Sequence, residues 1–146
     1  MVINSTGIDL SEHMIHVAKK KEMPNVNFVV GDCENLPFDT DSFDVVTCSM
    51  SFHHYPNPED FFHSLSRVLR PGGRFILRDM ASKSRFMMWF FNHVEIPLFN
   101  ILCKKGDVHT YTREDIQKLC RDSGLKLESY EVREGFRLHC VVRKVK

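Results

Sequence analysis

The sequence predicts an α/β fold whose sheet is mostly parallel and ends in an antiparallel hairpin. Short apolar segments at residues 27–31 and 43–49 have no polar face, which is typical of parallel strands covered by helices on both sides. Segments with apolar residues at helical spacing alternate with them along the chain. The last two strands, over 126–133 and 136–145, are separated by Glu134-Gly135 and alternate in polarity, as the two arms of a hairpin do.

The composition limits the class of protein. With 146 residues the chain has room for one domain around a single core. Its formal net charge of +1 gives no electrostatic support for a nucleic-acid partner. The five cysteines include no Cys-x-x-Cys pair, which favours reduced thiols over disulfides or a zinc site. We therefore expect a single cytoplasmic domain over 1–146, with no nucleic acid and no metal ion bound.

Each predicted helix has a recognisable start. Ser11 is a good N-cap for a helix that stops before Pro24, and Pro58 opens a second helix. The second helix ends where Pro71 and two glycines enforce a turn, ahead of a strand over 74–80. A third helix begins at Thr112, which has an acidic residue three positions later. These signals place the helices between the strands.

Two carboxylates follow neighbouring strands. Asp9 lies at the end of a strand over 5–10, and Asp32 directly follows the strand over 27–31. In a parallel sheet the carboxyl ends of adjacent strands face one crevice, where a carboxylate can accept hydrogen bonds from both ribose hydroxyls and a second can reach an adenine amine. The pattern predicts a nucleoside site. No glycine-rich strand-to-helix turn precedes Asp9, so we expect the first β-α unit of such a fold to be missing.

Residues 86–103 form an unusually apolar segment. Its length approaches that of a membrane span. Glu95 and three other polar residues inside it, together with the helix-disrupting Pro97, are costly at the centre of a bilayer. We therefore expect one or two helices broken near Pro97 and no stable membrane insertion.

Four stretches resemble class I S-adenosylmethionine-dependent methyltransferases of type 11, in the branch that includes ubiquinone and menaquinone biosynthesis enzymes. Their order and spacing match the family over residues 5–80. They read GIDLSEHM at 7–14, GDCENLPF at 31–38 with SFDVV at 42–46, SFHHYPNP at 51–58, and RVLRPGG at 67–73.

The resemblance implies a Rossmann-like sheet and S-adenosylmethionine as cofactor. The residues that it assigns to cofactor binding lie at the ends of three strands: Asp9 on the ribose, Leu10 and Met14 against adenine, Asp32 and the Cys33 backbone at the adenine edge, and Ser49 beside the methionine part. Structural alternatives remain for three of them. Asp9 alone could be only a helix cap, Met14 could belong to the core, and Cys33 could be a small buried hydrophobe.

The family's first strand normally lies in the centre of the sheet, between the strand that ends at Asp9 and the strand that begins at Phe43. Without it two inner strand edges are left open, and each buried unsatisfied backbone group costs roughly 1 to 3 kcal/mol. The visible strands could close up, or a second copy of the chain could donate a strand in a homodimer. A third explanation is that the sequence is a fragment of a longer chain. The resemblance also implies that methyl transfer is impaired here, because the glycine-rich loop that lies against the methionine part is absent.

Catalysis of methyl transfer mainly requires positioning of the acceptor in a site shielded from water. If the acceptor is a hydroxyl or an acidic carbon, a general base helps, and His54 and then His53 are the candidates because imidazole titrates near neutrality. Alternatively both histidines shape the pocket wall. Residues 83–110 lie where the family inserts a substrate cap and could enclose a small apolar or aromatic acceptor. The competing functions are a non-catalytic binding or assembly module and, less well supported, a nicotinamide-dependent oxidoreductase.

Overall fold

The computed structural model describes residues 4–103 and 106–145. Within these ranges the chain alternates between strands and helices, as predicted. The strands are β1 (Ser5–Asp9), β2 (Val26–Val30), β3 (Phe43–Ser49), β4 (Leu69–Met80), β5 (Leu125–Arg133) and β6 (Arg137–Lys144). The helices are α1 (Glu12–Lys19), α2 (Pro58–Val68), α3 (Arg85–Phe90), α4 (Ile96–Cys103) and α5 (Arg113–Asp122).

The strands form two separate sheets. β1 and β2 make a parallel pair, and the other four strands make a sheet in the order β3-β4-β6-β5. In that sheet β3 and β4 are parallel, whereas β6 is antiparallel to both of its neighbours. The α/β fold and the terminal hairpin are confirmed, but the larger sheet is mostly antiparallel. The predicted gap, where a central parallel strand would lie, is between β1 and β3. Among the described residues each of these strands has only one strand partner, so two parallel pairs are missing and parallel pairing does not dominate.

The turn predicted after α2 lies within the first part of strand β4. Leu69 already pairs with Phe43, and a bulge follows before regular pairing resumes at Arg74, so the strand starts earlier than the predicted residue 74. Gly72 has a φ of 79°, in the region that glycine tolerates best. A Cβ on Gly73 would lie only 2.8 Å from a backbone oxygen, so the two glycines allow the chain to pass close to β3.

The core lies between the four-stranded sheet and helices α2 and α5. Helix α2 starts with Pro58 at its first turn, and its apolar residues fall on one face. Phe61 and Phe62 from that face pack against Phe52 and Phe75 with ring centroids 5.5 to 6.1 Å apart. Helix α5 packs on the same core, and its predicted cap forms as a reciprocal capping box between Thr112 and residue 115.

The segment 31–38 attaches the small sheet to α2. The Leu36 N–H donates to Ser64 Oγ at 2.8 Å, and the Arg67 guanidinium donates to the carbonyl oxygens of Leu36 and Phe38. The Glu34 carboxylate accepts from the backbone and side chain of the residue before α2 at 2.7 and 2.9 Å. The carboxyl ends of β1 and β2 are therefore held on the same helix that packs on the larger sheet.

The apolar segment is helical, and its irregularity lies just before the proline. Helix α3 continues through a π-helical turn at Phe91–Glu95 into α4, where Pro97 is the second residue. A proline cannot donate a backbone hydrogen bond, and π turns commonly absorb such a mismatch in a continuous helix. Within the described ranges, no helix combines the length and apolar character that a membrane crossing requires.

Candidate functional site

Asp9 and Asp32 lie at the ends of the two strands of the small sheet. Each carboxylate orders the turn behind it through Oδ1, which accepts at 2.8 Å from the N–H of Ser11 or of Glu34. In the part of the chain that the structure describes, no hydrogen bond to Oδ2 of either residue is found, and both residues are exposed. Asp32 therefore caps the short turn that follows it, and Asp9 holds the N–H of Ser11, the N-cap of α1. Each still presents an acceptor oxygen to the crevice, so these roles do not exclude ligand binding.

Tyr55 connects this edge to the larger sheet. Its hydroxyl lies 3.8 Å from the Cys48 sulfur on β3, and it also hydrogen-bonds the Cys33 side chain beside Asp32. Burial raises the pKa of the Cys33 thiol, which the Tyr55 hydrogen bond partly offsets and the negative charges of Asp32 and Asp9 reinforce. The Cys33 thiol is therefore neutral at physiological pH.

The remaining predicted cofactor residues are accessible. Leu10 is 71% exposed and Met14 is 54% exposed, so Met14 is not part of the core. Ser49 is exposed at the end of β3, and a cleft beside it is lined by Thr47, Cys48, Ile76 and Arg78. A separate cleft contains Asp32 and faces the start of α2. The structure thus places the predicted cofactor residues at the ends of strands from two sheets, with Asp32 and Ser49 in separate clefts.

His53 is a buried histidine with a carboxylate behind it. Its Nδ1 lies 2.6 Å from Asp79 Oδ1, and its backbone N–H donates to Asp79 Oδ2 at 3.1 Å. Asp79 is itself buried at the carboxyl end of β4, the strand next to β3. Since a carboxylate accepts hydrogen bonds, this pairing places a proton on Nδ1 of His53 and fixes the orientation of the ring.

His54 is exposed and is held by the loop that follows the apolar helices. Its Nδ1 lies 3.2 Å from the Gly106 carbonyl oxygen and 3.2 Å from Asp107 Oδ1. Both neighbours are acceptors, so Nδ1 is the N–H donor of the ring, and Nε2 is the nitrogen left to act as an acceptor. Asp107 Oδ1 is also 3.7 Å from His53 Nε2, which makes a continuous chain of charged and polar groups from Asp79 to His54.

Three of these groups could also hold a metal ion. Single donor atoms of His53, His54 and Asp107 lie within 4.8 Å of one another. Asp107 supplies a third donor that the spacing of the adjacent histidines could not indicate. The contacts of His54 Nδ1 are those of an N–H donor, however, so the geometry is that of a hydrogen-bonded network.

Two asparagines of the apolar segment pin this loop. Asn92 exchanges hydrogen bonds with the backbone of Thr110 at 2.8 and 3.0 Å, and Asn100 does the same with Asp107 at 2.6 and 3.2 Å. The backbone N–H groups of Val108 and His109 both donate to the His53 carbonyl oxygen. The loop that carries Asp107 is therefore fixed both to the apolar helices and to the histidine pair.

Sequence reasoning missed the roles of Asp79 and Asp107. The signal for Asp79 was present, because a carboxylate at the end of the strand beside β3 must lie near the residues that follow β3. Asp107 had no such signal. It reaches the histidines from more than fifty positions away, through a loop whose path depends on the two asparagine anchors.

Taken together, the sheet order and the helices between the strands define an α/β domain with acceptor groups at the ends of its parallel strands. A methyltransferase domain family matches residues 1–77, which is more than half of the chain. The chain belongs to this family, the class I S-adenosylmethionine-dependent methyltransferases.

Individual relatives agree with this assignment. The chain is 42% identical over 94 residues to a phthiotriol/phenolphthiotriol dimycocerosates methyltransferase of Mycobacterium tuberculosis, covering 64% of this chain and 35% of that protein. It is 29% identical over 126 residues to the ubiquinone/menaquinone biosynthesis C-methyltransferase UbiE of Bartonella quintana, covering 79% and 48%. The chain thus spans between about a third and a half of the length of these two relatives.

The fold has close counterparts among solved structures. An S-adenosylmethionine-dependent methyltransferase from Mesorhizobium loti superimposes with a TM-score of 0.76 at 19% identity, covering 96% of this chain and 80% of that one. This likeness confirms the Rossmann-like fold.

Proposed function

We propose that this chain carries the adenosine-binding and acceptor-activating part of an S-adenosylmethionine-dependent methyltransferase. The observation that carries the proposal is the pair of carboxylates, Asp9 and Asp32, which end adjacent parallel strands and each keep Oδ2 available. Acceptor oxygens in this position suit ribose hydroxyls and an adenine amine. The exposed side chains of Leu10 and Met14 offer apolar surface beside them for the adenine ring.

The histidine pair supplies the base in this proposal. The Nδ1–H of His54 is held by Gly106 and Asp107, which leaves Nε2 available. The ring is thereby oriented to take a proton from the molecule that receives the methyl group. His53, fixed by Asp79, is the second candidate and also holds the loop in place. When bound, the cofactor supplies an electrophilic methyl group, and Ser49 borders its methionine part.

For the acceptor we propose a small apolar or aromatic molecule enclosed by the cap segment 83–110. Both relatives named above are methyltransferases, and their names include a dimycocerosate lipid and two quinones. We further propose that methyl transfer by this chain alone is impaired, because the Asp9 and Asp32 edge lies on one sheet and the histidines follow the other, with no strand pairing between them in the described ranges.

A variant of Asp9 tests the proposal. Asp9→Asn keeps Oδ1 as acceptor for the Ser11 N–H but loses the charge and the second acceptor, so S-adenosylhomocysteine binding weakens about tenfold or more. Isothermal titration calorimetry measures the dissociation constant. Asp122→Asn, an exposed residue at the end of α5, is the matched control and leaves binding unchanged. Equal affinity of Asp9→Asn and the unmodified chain would refute the assigned site.

The open strand edges favour one second candidate, a non-catalytic module that assembles through β1 and β3. Each of these strands has a single partner in the described part of the chain, and unpaired edges bind further strands readily. In this case the chain forms a homodimer and shows no saturable binding of S-adenosylhomocysteine. Measuring the solution mass beside the titration separates the two candidates, because a monomer that binds the ligand excludes the assembly module.

A further inference from the structure

The apolar helices turn their largest side chains toward solvent. Phe86 is 68% exposed, Trp89 is 52% exposed, and Ile101 and Leu102 at the far end are 78% and 70% exposed. The exposed residues recur three or four positions apart, which places them along one face of the helical segment. We call this face the apolar stripe; it consists of Phe86, Trp89, Phe90, Val94, Leu98, Ile101 and Leu102.

Three polar residues of the same segment point the other way, whereas His93 is exposed beside the stripe. Asn92, Glu95 and Asn100 are half-buried, and both asparagines are used in hydrogen bonds to the loop 106–110. A surface helix normally shows the reverse arrangement, with its apolar face inward. Because the inward contacts are fixed by hydrogen bonds, the stripe cannot turn inward without breaking them. An exposed apolar surface of this size marks an interaction site.

Positive charges flank the stripe along the sequence. Lys83 and Arg85 are exposed just before it, and Lys104 and Lys105 follow it in the sequence. Glu95 is the only acidic residue between positions 83 and 105. The ring of Trp89 stacks between Phe86 and His93, with centroids 6.2 and 5.1 Å apart, which gives the stripe a broad aromatic surface.

We propose that the apolar stripe docks this protein on the surface of an anionic lipid membrane, lying in the interface without crossing it. Apolar and aromatic side chains would enter the boundary between headgroups and acyl chains, while the flanking cations meet the lipid phosphates. A second copy of the chain fits the stripe less well, since it would bring the same positive ends together. The proposal does not depend on methyl transfer.

Vesicle co-sedimentation tests the proposal on the intact chain. The chain sediments with vesicles of phosphatidylcholine and phosphatidylglycerol, and the bound fraction falls in pure phosphatidylcholine or in high salt. Lys83→Glu with Arg85→Glu lowers the partition coefficient by about tenfold or more, because it replaces two attractive charges near the lipid surface with two repulsive ones. The control pair Lys19→Glu and Lys20→Glu, exposed at the end of α1, has a much smaller effect.

A second pair of variants separates lipid insertion from simple charge attraction. Phe86→Ser with Ile101→Ser weakens binding to anionic vesicles about tenfold or more. Val17→Ser with Val145→Ser, which removes exposed apolar side chains outside the stripe, leaves binding unchanged. Circular dichroism confirms that the four double variants, two with changed charges and two with changed apolar residues, are folded. Binding unaffected by the stripe variants, no binding to anionic vesicles, or a dimer whose mass halves in the stripe variants would overturn the proposal.

Discussion

Replacing Asp79 with alanine lowers the free energy of unfolding by about 3–5 kcal/mol, because it removes the shared acceptor of three hydrogen bonds at a buried position. The Asp79 carboxylate accepts from His53 Nδ1 at 2.6 Å, from the His53 N–H at 3.1 Å and from the Met80 N–H at 2.7 Å. Its removal leaves these donors without their acceptor in a buried site, and each such loss is costly. Urea denaturation followed by circular dichroism measures the effect.

An exposed carboxylate provides the matched control. Asp44 pairs with Arg70 at 2.7 Å, but both side chains are largely in solvent, so Asp44→Ala costs less than about 1 kcal/mol. Asp79→Asn retains one acceptor oxygen, so its loss of unfolding free energy lies between those of Asp79→Ala and Asp44→Ala. The ¹⁵N spectrum of the His53 ring adds a direct readout, with the proton on Nδ1 in the unmodified chain. Equal losses for Asp79→Ala and Asp44→Ala would show that the buried pair is not formed.

Phe62→Ala destabilises the chain by a similar amount, about 3–5 kcal/mol, because it removes a whole ring from the core. Phe62 is fully buried on α2 and contacts the rings of Phe52, Phe61 and Phe75. These neighbours belong to the loop after β3, to α2 and to β4, so the cavity cannot collapse without moving several elements. The midpoint of urea denaturation is the measurement.

Phe86→Ala is the control for this prediction, since it removes the same ring from an exposed position and changes stability by less than about 0.5 kcal/mol. If Phe62→Ala fails to fold, Phe62→Leu keeps most of the volume and gives a smaller, measurable loss. A loss for Phe62→Ala no larger than that for Phe86→Ala would contradict the described core.

The sequence was most informative where chemistry depends on local position. Capping residues such as Ser11 and Thr112 begin helices because their side chains bond the first turn, and both caps form as predicted. The carboxylates at the ends of β1 and β2 follow from strand boundaries alone, since the carboxyl ends of parallel strands lie together. The gap between β1 and β3 could be anticipated in the same way, from the absence of a glycine-rich turn.

Long-range contacts were beyond such reasoning. The pairing of Asp79 with His53 requires the register between β3 and β4, including the bulge after Leu69. The orientation of the apolar segment depends on where Asn92 and Asn100 find partners, and hydrophobicity alone does not specify that direction. The role of the segment as a substrate cap stays a prediction, as do the cofactor and base assignments.

Hydrogen–deuterium exchange with and without S-adenosylhomocysteine tests most directly the central claim, that one ligand site spans both sheets. The account predicts slower exchange on ligand addition in residues 9–14 and 31–35 of the small sheet and, at the same ligand concentration, in residues 48–54 after β3. Protection confined to one sheet, or no protection at saturating ligand, would contradict it.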